Sequence, residues 1–197
     1  MDSVAGFILI GGAASRMGKD KSQLLIENET FVQRIARELA TVAAQVSVVA
    51  RAGQDYPGLA IVRDVHPDWG ALGGVHGALA TCTAEWALVV ACDLPRVQAS
   101  LFNRMLSRRQ DFDAVAPLQP DGRRQPLCAL YRVAACLQLT AALIESGERK
   151  PVALLQSVST RWVKFAELAD LPGAEGFFDN INTPQDYLRI SQESGTD

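Results

Sequence analysis

The chain has 197 residues, of which 48% are hydrophobic and 21% charged, and its 19 basic and 22 acidic residues give a net charge of -3. This length predicts a single domain, residues 1–197, with one sizeable core, and the composition excludes collagen-like and disordered chains. The acidic balance disfavours a nucleic-acid binder, which typically carries a strongly basic face.

Neither a secretory leader nor a membrane span is expected. The first apolar run ends at Gly11 and lacks a basic segment before it. No stretch approaches the ~18 apolar residues that a span requires. The four cysteines do not have zinc-type spacing, and the histidines are His66 and His76 alone. The sequence therefore predicts a cytoplasmic protein that contacts no membrane and keeps its thiols reduced.

The apolar pattern changes period repeatedly along the first half of the chain. A short apolar run over residues 4–10 predicts a buried strand, which is followed by a polar loop over residues 11–21. Apolar residues then recur at helical spacing from Phe31 to Ala43, behind a capping box of Thr30 and Gln33. Later runs predict strands at 46–50, 59–62 and 86–91. Between the last two, the glycine-rich segment 70–77 leads into a predicted helix that continues through Thr81.

The second half continues the alternation of strands and helices. Its apolar runs predict strands at 113–117, 127–131 and 160–165, and helices at 101–109, 133–145 and 151–157. A last helix begins at Pro184, with Thr183 as N-cap and Asp186 closing a capping box. Strands that alternate with helices predict an α/β fold, a three-layer αβα sandwich with a mostly parallel sheet.

Ligands in such sheets bind beyond the carboxyl ends of the strands, so the residues after each strand are the candidates for chemistry. The first strand leads into the loop Gly11–Lys21. Asp64 follows the third strand and Asp93 follows the fourth. Asn180 and Asn182 precede the last helix. We expect these residues to converge at one edge of the sheet.

The first loop has the composition of a phosphate-binding loop. Glycines such as Gly11 and Gly12 let backbone N–H groups approach phosphate oxygens, and Arg16, Lys19 and Lys21 supply positive charge. The spacing fits neither a Walker A motif nor a dinucleotide-binding G-x-G-x-x-G. The alternative is a plain strand-to-helix turn with solvated charges, which does not need three glycines and three basic residues.

The carboxylates and amides have weaker signals. Asp93 follows an almost wholly apolar strand, where a carboxylate suits Mg²⁺, since this ion shares its oxygen ligands with substrate phosphates. The alternative to a metal role for Asp93 is a structural one, as a helix N-cap or in a turn. For Asp64 the alternative of a turn role carries more weight. Asn180 and Asn182 are candidates for substrate contacts or for turns that serve the Thr183 cap.

A second glycine cluster and the histidines complete the candidates. Gly70, Gly73, Gly74 and Gly77 would let a flat base lie against the backbone, or would let a helix pack tightly. His66 and His76 are expected to be structural or solvent-facing rather than catalytic.

Several of these motifs resemble a known family. Leu9–Gly12, Ser15–Gly18 and Asp20–Lys21 resemble the signature loop of nucleotidyltransferases. The later segments resemble, in order and rough spacing, those of the molybdenum cofactor guanylyltransferases; they are Asp64, Gly70–Gly74, Cys92–Pro95, Gln125–Tyr131 and Asn180–Pro184. The resemblance covers about residues 4–190.

The resemblance implies a Rossmann-like fold of the nucleotide-diphospho-sugar transferase type and transfer of GMP from GTP to the phosphate of molybdopterin, with release of pyrophosphate. Arg16 and Lys21 would be catalytic, Asp93 would bind Mg²⁺, and Asn180 and Asn182 would bind the pterin. The GTP-binding residues would be Leu9, Ile10, Gly11, Gly12, Lys21, Asp64 and Asp93. Partners implied are the enzyme that inserts molybdenum and the recipient molybdoenzymes, contacted transiently.

Two departures from the family pattern keep alternatives open. Ile10 stands where the loop usually has Ala, and Ala71 stands where Pro is usual, both close to where the family holds the base. CTP is therefore an alternative donor, and a sugar or polyol phosphate is an alternative acceptor. A non-catalytic nucleotide-binding module is the alternative outside enzymes, but Asp93 together with Lys21 favours the enzyme.

Overall fold

The computed structural model describes residues 3–10, 24–51, 54–66 and 69–193. The strands are β1 (Val4–Leu9), β2 (Leu25–Ile26), β3 (Glu29–Thr30), β4 (Gln45–Ala50), β5 (Ala60–Arg63), β6 (Trp86–Ala91), β7 (Ala114–Pro117), β8 (Cys128–Arg132) and β9 (Thr160–Val163). The helices are α1 (Phe31–Ala40), α2 (Gly70–Thr81), α3 (Ala99–Leu106), α4 (Val133–Glu145), α5 (Pro151–Ser157) and α6 (Pro184–Glu193).

Seven of these strands form one sheet in the order β5-β4-β1-β6-β8-β7-β9. Within it β1 pairs in parallel with β4 and β6, β4 with β5, and β7 with β9. Only β8 runs antiparallel to its neighbours in this described sheet, β6 and β7. The predicted three-layer fold with a mostly parallel sheet is confirmed.

Apolar side chains fill both faces of the sheet. One core packs α1 and α3 against it, around residues such as Ile35, Leu88 and Phe102. The opposite core packs α2, α4 and α5, around residues such as Val89 and Tyr131. Both faces of β1 and β6 are covered, so these strands are buried along their whole length, as their unbroken apolar runs predict. Across the part of the chain that the structure describes, no helix combines the length and apolar character needed to cross a membrane.

The helices α4 and α5 have the bounds that the sequence indicates. In contrast, α3 spans Ala99–Leu106 rather than 101–109, and α1 ends at Ala40 rather than near Ala43. The N–H groups of Val42 and Ala43 still bond the Leu39 carbonyl, but that of Ala44 donates to the Val4 carbonyl in β1. The helix therefore ends here because the next backbone N–H, that of Ala44, bonds to β1 instead of to the preceding turn. The Thr30–Gln33 capping box is confirmed, with both reciprocal hydrogen bonds present.

The small hairpin formed by β2 and β3 is absent from the sequence-based prediction. Its two strands have two residues each, too few for a period, and its turn residues Glu27 and Asn28 have φ values of 51° and 66° without any glycine. A third apolar cluster holds the hairpin by packing Ile26 against Phe31, Ile181 and Ile190. The hairpin is thus set by tertiary packing rather than by local sequence.

Candidate active site

The carboxyl ends of four adjacent parallel strands meet at one edge of the sheet. Leu9 at the end of β1 is in register with Val49 of β4 and with Ala91 of β6, and Ala50 of β4 is in register with Arg63 of β5. The residues that follow, Ile10, Asp64 and Asp93, therefore stand along one edge. Asp64 and Asp93 are separated by three inter-strand spacings, about 14 Å.

Leu9 and Ile10 lie at the end of β1, between the strands that lead to Asp64 and to Asp93. The Leu9 side chain is buried in the core, and its carbonyl accepts a hydrogen bond from the N–H of Cys92 at 3.1 Å. The N–H of Ile10 donates to the Val49 carbonyl at 2.9 Å, and its side chain is half-buried. These backbone bonds fix the point where the first loop leaves the sheet. The predicted loop residues Gly11, Gly12, Arg16 and Lys21 lie outside the described residues.

Asp64 is fixed by a tight turn at the end of β5. Its N–H donates to the Ala50 carbonyl at 3.2 Å, and its Oδ1 accepts a hydrogen bond from the N–H of His66 at 2.8 Å. The turn role weighed for Asp64 is therefore present in the structure. Its second oxygen, Oδ2, takes no part in that bond, and nucleotide binding by Asp64 stays a prediction.

His66 and His76 form a pair next to Asp64, which the sequence pattern does not reveal. Their rings meet edge to face with centroids 4.9 Å apart. Burial lowers the pKa of His76, the nearby His66 ring lowers it further, and Asp64 opposes this shift. Both rings are half-buried, which agrees with the structural role expected for them. The two histidines are ten residues apart, and no single helix or strand pattern spans both positions. The turn after β5 and the helix α2 bring them together.

The second glycine cluster serves helix packing. A Cβ on Gly73 would lie 2.5 Å from the His66 carbonyl oxygen, and one on Gly74 would lie 3.3 Å from the Leu9 side chain. Gly77 faces Val49 and the backbone of residues 63–64. The glycines thus let α2 press on the Asp64 turn and on β1. The packing alternative is confirmed for these three residues, whereas Gly70 has a φ of +63° and nothing within 4 Å of an added Cβ.

Asp93 and the segment with the two asparagines converge, as predicted. The N–H of Ile181 donates to the Asp93 carbonyl at 3.0 Å, so Asn180 and Asn182 flank the residue that contacts Asp93. The Ile181 side chain is fully buried in the third apolar cluster, which anchors this contact. Asp93 and Asn180 are half-buried and Asn182 is exposed. The arrangement places amide and carboxylate groups together at the end of β6.

The cap of α6 confirms the motif of Thr183, Pro184 and Asp186. The Thr183 hydroxyl accepts from the N–H of Asp186, while Asp186 Oδ2 accepts from the N–H groups of Asn182 and Thr183. These bonds to backbone N–H groups, led by that of Asn182, lower the pKa of Asp186. Asn182 contributes its backbone N–H to this cap.

Arg96 is a further residue at this edge that the sequence analysis did not select. It lies three residues after Asp93, and its Nη1 is 3.4 Å from Oδ2 of Asp179, the residue before Asn180. The position of Arg96 next to the motif Cys92–Pro95 could have marked it as a candidate, but its partner Asp179 is distant in sequence. Only the folded chain reveals the ion pair.

The donor set at this edge suits a hard cation that is shared with a substrate. Asp93 and Asp64 offer carboxylate oxygens, which Mg²⁺ prefers, and a magnesium ion bound with substrate phosphates needs only one or two protein carboxylates. No group of three or more His, Cys, Asp or Glu side chains that could hold a metal occurs among the described residues. The described carboxylates of Asp64 and Asp93 are thus of the chemical type that would fit such a shared cation.

Comparison with known proteins identifies relatives along nearly the whole chain. Residues 6–161 match the family described as the MobA-like NTP transferase domain. A molybdenum cofactor guanylyltransferase of Serratia proteamaculans is 32% identical over 200 residues, which cover 98% of this chain and 97% of that protein. One of Vibrio vulnificus is 30% identical over 191 residues, covering 94% and 93%.

Solved structures agree on the fold. Molybdopterin-guanine dinucleotide biosynthesis protein A of Archaeoglobus fulgidus superposes with a TM-score of 0.82 at 22% identity, covering 98% of this chain and 100% of that one. The 2-C-methyl-D-erythritol 4-phosphate cytidylyltransferase of Thermus thermophilus superposes with a TM-score of 0.70 at 18% identity, covering 96% and 98%. The same architecture thus occurs in proteins named for different nucleotides.

Proposed function

The chain belongs to the MobA-like NTP transferase family, and from this premise we propose that it transfers GMP from GTP to the phosphate of molybdopterin, forming the guanine dinucleotide cofactor and releasing pyrophosphate. The observation that carries the proposal is the junction of Asp93 with Asn180–Asn182, made by the hydrogen bond from Ile181 to the Asp93 carbonyl. This junction joins a carboxylate suited to a metal–nucleotide complex to an amide-bearing segment that is suited to a polar acceptor. Relatives named for guanylyl transfer support the choice of GTP.

The donor nucleotide is proposed to lie along the edge from β5 to β6. Asp64 would contact the nucleoside at one end, while the backbone of Leu9, Ile10, Gly11 and Gly12 would lie against it at the centre. Support comes from the register, which places Asp64, Ile10 and Asp93 in one row. Because Leu9 is buried, we assign it a backbone role only.

The proposed metal is Mg²⁺, held by Asp93 together with oxygens of the triphosphate. When bound, it neutralises phosphate charge and orients the α-phosphorus for displacement. Asp93 suits this role because it is half-buried at a strand end and directly precedes the buried Leu94 and Pro95, which restrict its backbone.

The acceptor is already a phosphate and is anionic, so the reaction does not need a strong general base. The barrier lies in bringing two anions together in line and in stabilising the charge that develops. Arg16 and Lys21 are proposed to neutralise the triphosphate and the departing pyrophosphate. Asn180 and Asn182 would orient the pterin through their amide groups. Transient contact with the enzyme that inserts molybdenum and with recipient molybdoenzymes remains a prediction.

Replacement of the proposed metal ligand tests this function. We expect Asp93→Asn to lower kcat/KM by roughly 10²-fold or more, about 3 kcal/mol of transition-state stabilisation, because the amide lacks the charge that attracts the cation. The measurement is steady-state formation of the dinucleotide from GTP and molybdopterin. Asp111→Asn is the matched control, since Asp111 is exposed at the opposite edge of the sheet and has a φ of 64° that Asn also accepts. Equal turnover in both variants would contradict the assignment of Asp93.

Nucleotide choice is tested separately by calorimetry with GTP, CTP, ATP and UTP, each with and without Mg²⁺. We expect GTP to bind selectively and more tightly when Mg²⁺ is present. A preference for CTP would overturn the guanylyl assignment and direct attention to Ile10 and Ala71. An absence of selective binding would contradict the transferase proposal altogether.

A further inference from the structure

Two connections join the segment after β6 to the segment before α6. One is the hydrogen bond from the Ile181 N–H to the Asp93 carbonyl at 3.0 Å. The other is the ion pair between Arg96 and Asp179, with Nη1 and Oδ2 3.4 Å apart. Asp179 directly precedes Asn180, so this ion pair acts at the start of the segment that carries both asparagines.

The turn before Asp179 lies directly on the Arg96 side chain. A Cβ on Gly176 would lie 2.7 Å from Nε and 2.8 Å from Cζ of Arg96, so only a glycine lets the guanidinium group pass. The N–H of Asp179 donates to the Gly176 carbonyl at 3.1 Å, which brings the Asp179 carboxylate back over the same group. The turn therefore holds Arg96 between its backbone and its acidic side chain.

A cavity of about 470 Å³ borders this contact. Its lining includes Arg96, Gln98, Gly173, Ile26 and Ile190, together with charged side chains of α1 and of the turn between β2 and β3. This cavity is polar and open to solvent, so the Arg96 side chain meets the turn at its rim. Arg96 therefore connects the two segments on this side, in addition to the buried Ile181 side chain that anchors them in the third apolar cluster.

A second arginine contacts the same carboxylate from α6. Arg189 Nη1 lies 3.5 Å from Oδ2 of Asp179, but its side chain is 52% exposed, compared with 34% for Arg96. Solvent screens the more exposed pair more strongly. Arg189 also belongs to the helix that follows the asparagines, so its bond does not tie that region to the Asp93 loop.

We propose that Arg96 is a positioning residue that holds Asp179–Asn182 against the Asp93 loop and thereby fixes the asparagines for the acceptor. The assignment of these asparagines to the acceptor rests on the proposed function. Arg96 acts through Asp179 and the turn at Gly176, and the donor nucleotide on the β1 side of Asp93 is bound independently of it.

The kinetic test compares Arg96→Ala, Gly176→Ala and Arg189→Ala. Arg96→Ala should raise the KM for molybdopterin by roughly fivefold or more, the change expected for losing a partly exposed ion pair, while the calorimetric Kd for GTP with Mg²⁺ stays unchanged. Gly176→Ala should act in the same direction although it removes no charge, because its methyl group displaces the guanidinium. Arg96→Lys should restore part of the loss, and Arg189→Ala should stay close to the parent protein.

A structural readout separates this proposal from the proposed function. Hydrogen exchange of the Ile181 amide, followed by NMR, reports the junction whatever the substrate is. We expect faster exchange in Arg96→Ala and Gly176→Ala, unchanged exchange in Arg189→Ala, and thermal unfolding that confirms a folded protein in each case. Unchanged exchange in Arg96→Ala overturns the positioning role. A different result is faster exchange in Arg96→Ala combined with a parent protein that does not turn over molybdopterin. That result would support the positioning role of Arg96 but would overturn molybdopterin as the acceptor.

Discussion

At the scale of single residues, the surroundings of His76 shift its pKa toward the neutral form. Its ring meets that of His66, and burial together with this neighbour lowers its pKa, with Asp64 acting in the opposite sense. Because its folded-state pKa lies below the unfolded value of about 6.5, the unfolded chain binds more protons in the acid range. The contribution of His76 to stability is thus complete above the unfolded value and is lost as the pH falls from that value through the lower folded-state pKa.

This sign gives a prediction for His76→Asn, which cannot titrate. Between about pH 7.5 and about pH 5.5 the free energy of unfolding of the parent protein should fall more steeply than that of the variant, since carboxylates stay ionised over this range. Urea unfolding at several pH values measures both slopes. Parallel slopes would show that His76 is protonated as readily in the folded protein as in the unfolded chain.

At the scale of elements, α2 ends at Thr81 as its sequence predicts, but the structure begins it at Gly70, and the reason for its glycines emerges only from its neighbours. Gly73 faces the His66 carbonyl, Gly74 faces Leu9, and the sequence alone left base binding and packing as alternatives. In contrast, the end of α1 and the hairpin at Leu25–Thr30 could not be predicted, because backbone capture by β1 and the third apolar cluster decide them. Local period predicts an element, whereas tertiary contacts set its ends.

Two substitutions within α2 test the packing explanation. Gly73→Ala would place its Cβ 2.5 Å from a backbone oxygen that cannot turn away, so we expect a loss of roughly 1–3 kcal/mol in the free energy of unfolding. Gly77→Ala meets its nearest atom at 3.5 Å, an ordinary contact, and alanine is the better helix former by about 1 kcal/mol. Denaturant unfolding should rank Gly73→Ala well below Gly77→Ala. Equal stabilities would contradict the close approach of α2 to the Asp64 turn.

At the scale of the whole molecule, the sequence predicts the layers and the edge that carries Asp64 and Asp93, but not the strand order. Asp64 and Asp93 could be assigned to one edge, because strand ends collect ligands in parallel sheets. The reversed direction of β8 and the docking of Ile181 on Asp93 depend on contacts between distant segments, which no local pattern encodes. The ion pair of Arg96 with Asp179 was missed for the same reason.

The prediction of one domain over residues 1–197 leads to a test on the intact protein. With GTP and Mg²⁺ at about 100 times Kd, binding adds about 2.7 kcal/mol, which corresponds to a Tm increase of roughly 5–10 °C for a single cooperative unit of this size. Differential scanning calorimetry should show one transition that moves as a whole. Two transitions, of which only one moves, would contradict the single domain.

The hydroxyl of Tyr187 in α6 donates to the carbonyl of Leu25, a residue 162 positions earlier in the chain. Together with the bond from Ile181 to Asp93, this contact ties α6 and the segment before it to elements from the first half of the chain. The row of Asp64, Ile10 and Asp93 is built without these late residues. If the proposed function holds, a chain cut ahead of residue 180 would therefore keep Asp64 and Asp93 for the nucleotide but would lack both asparagines for the acceptor.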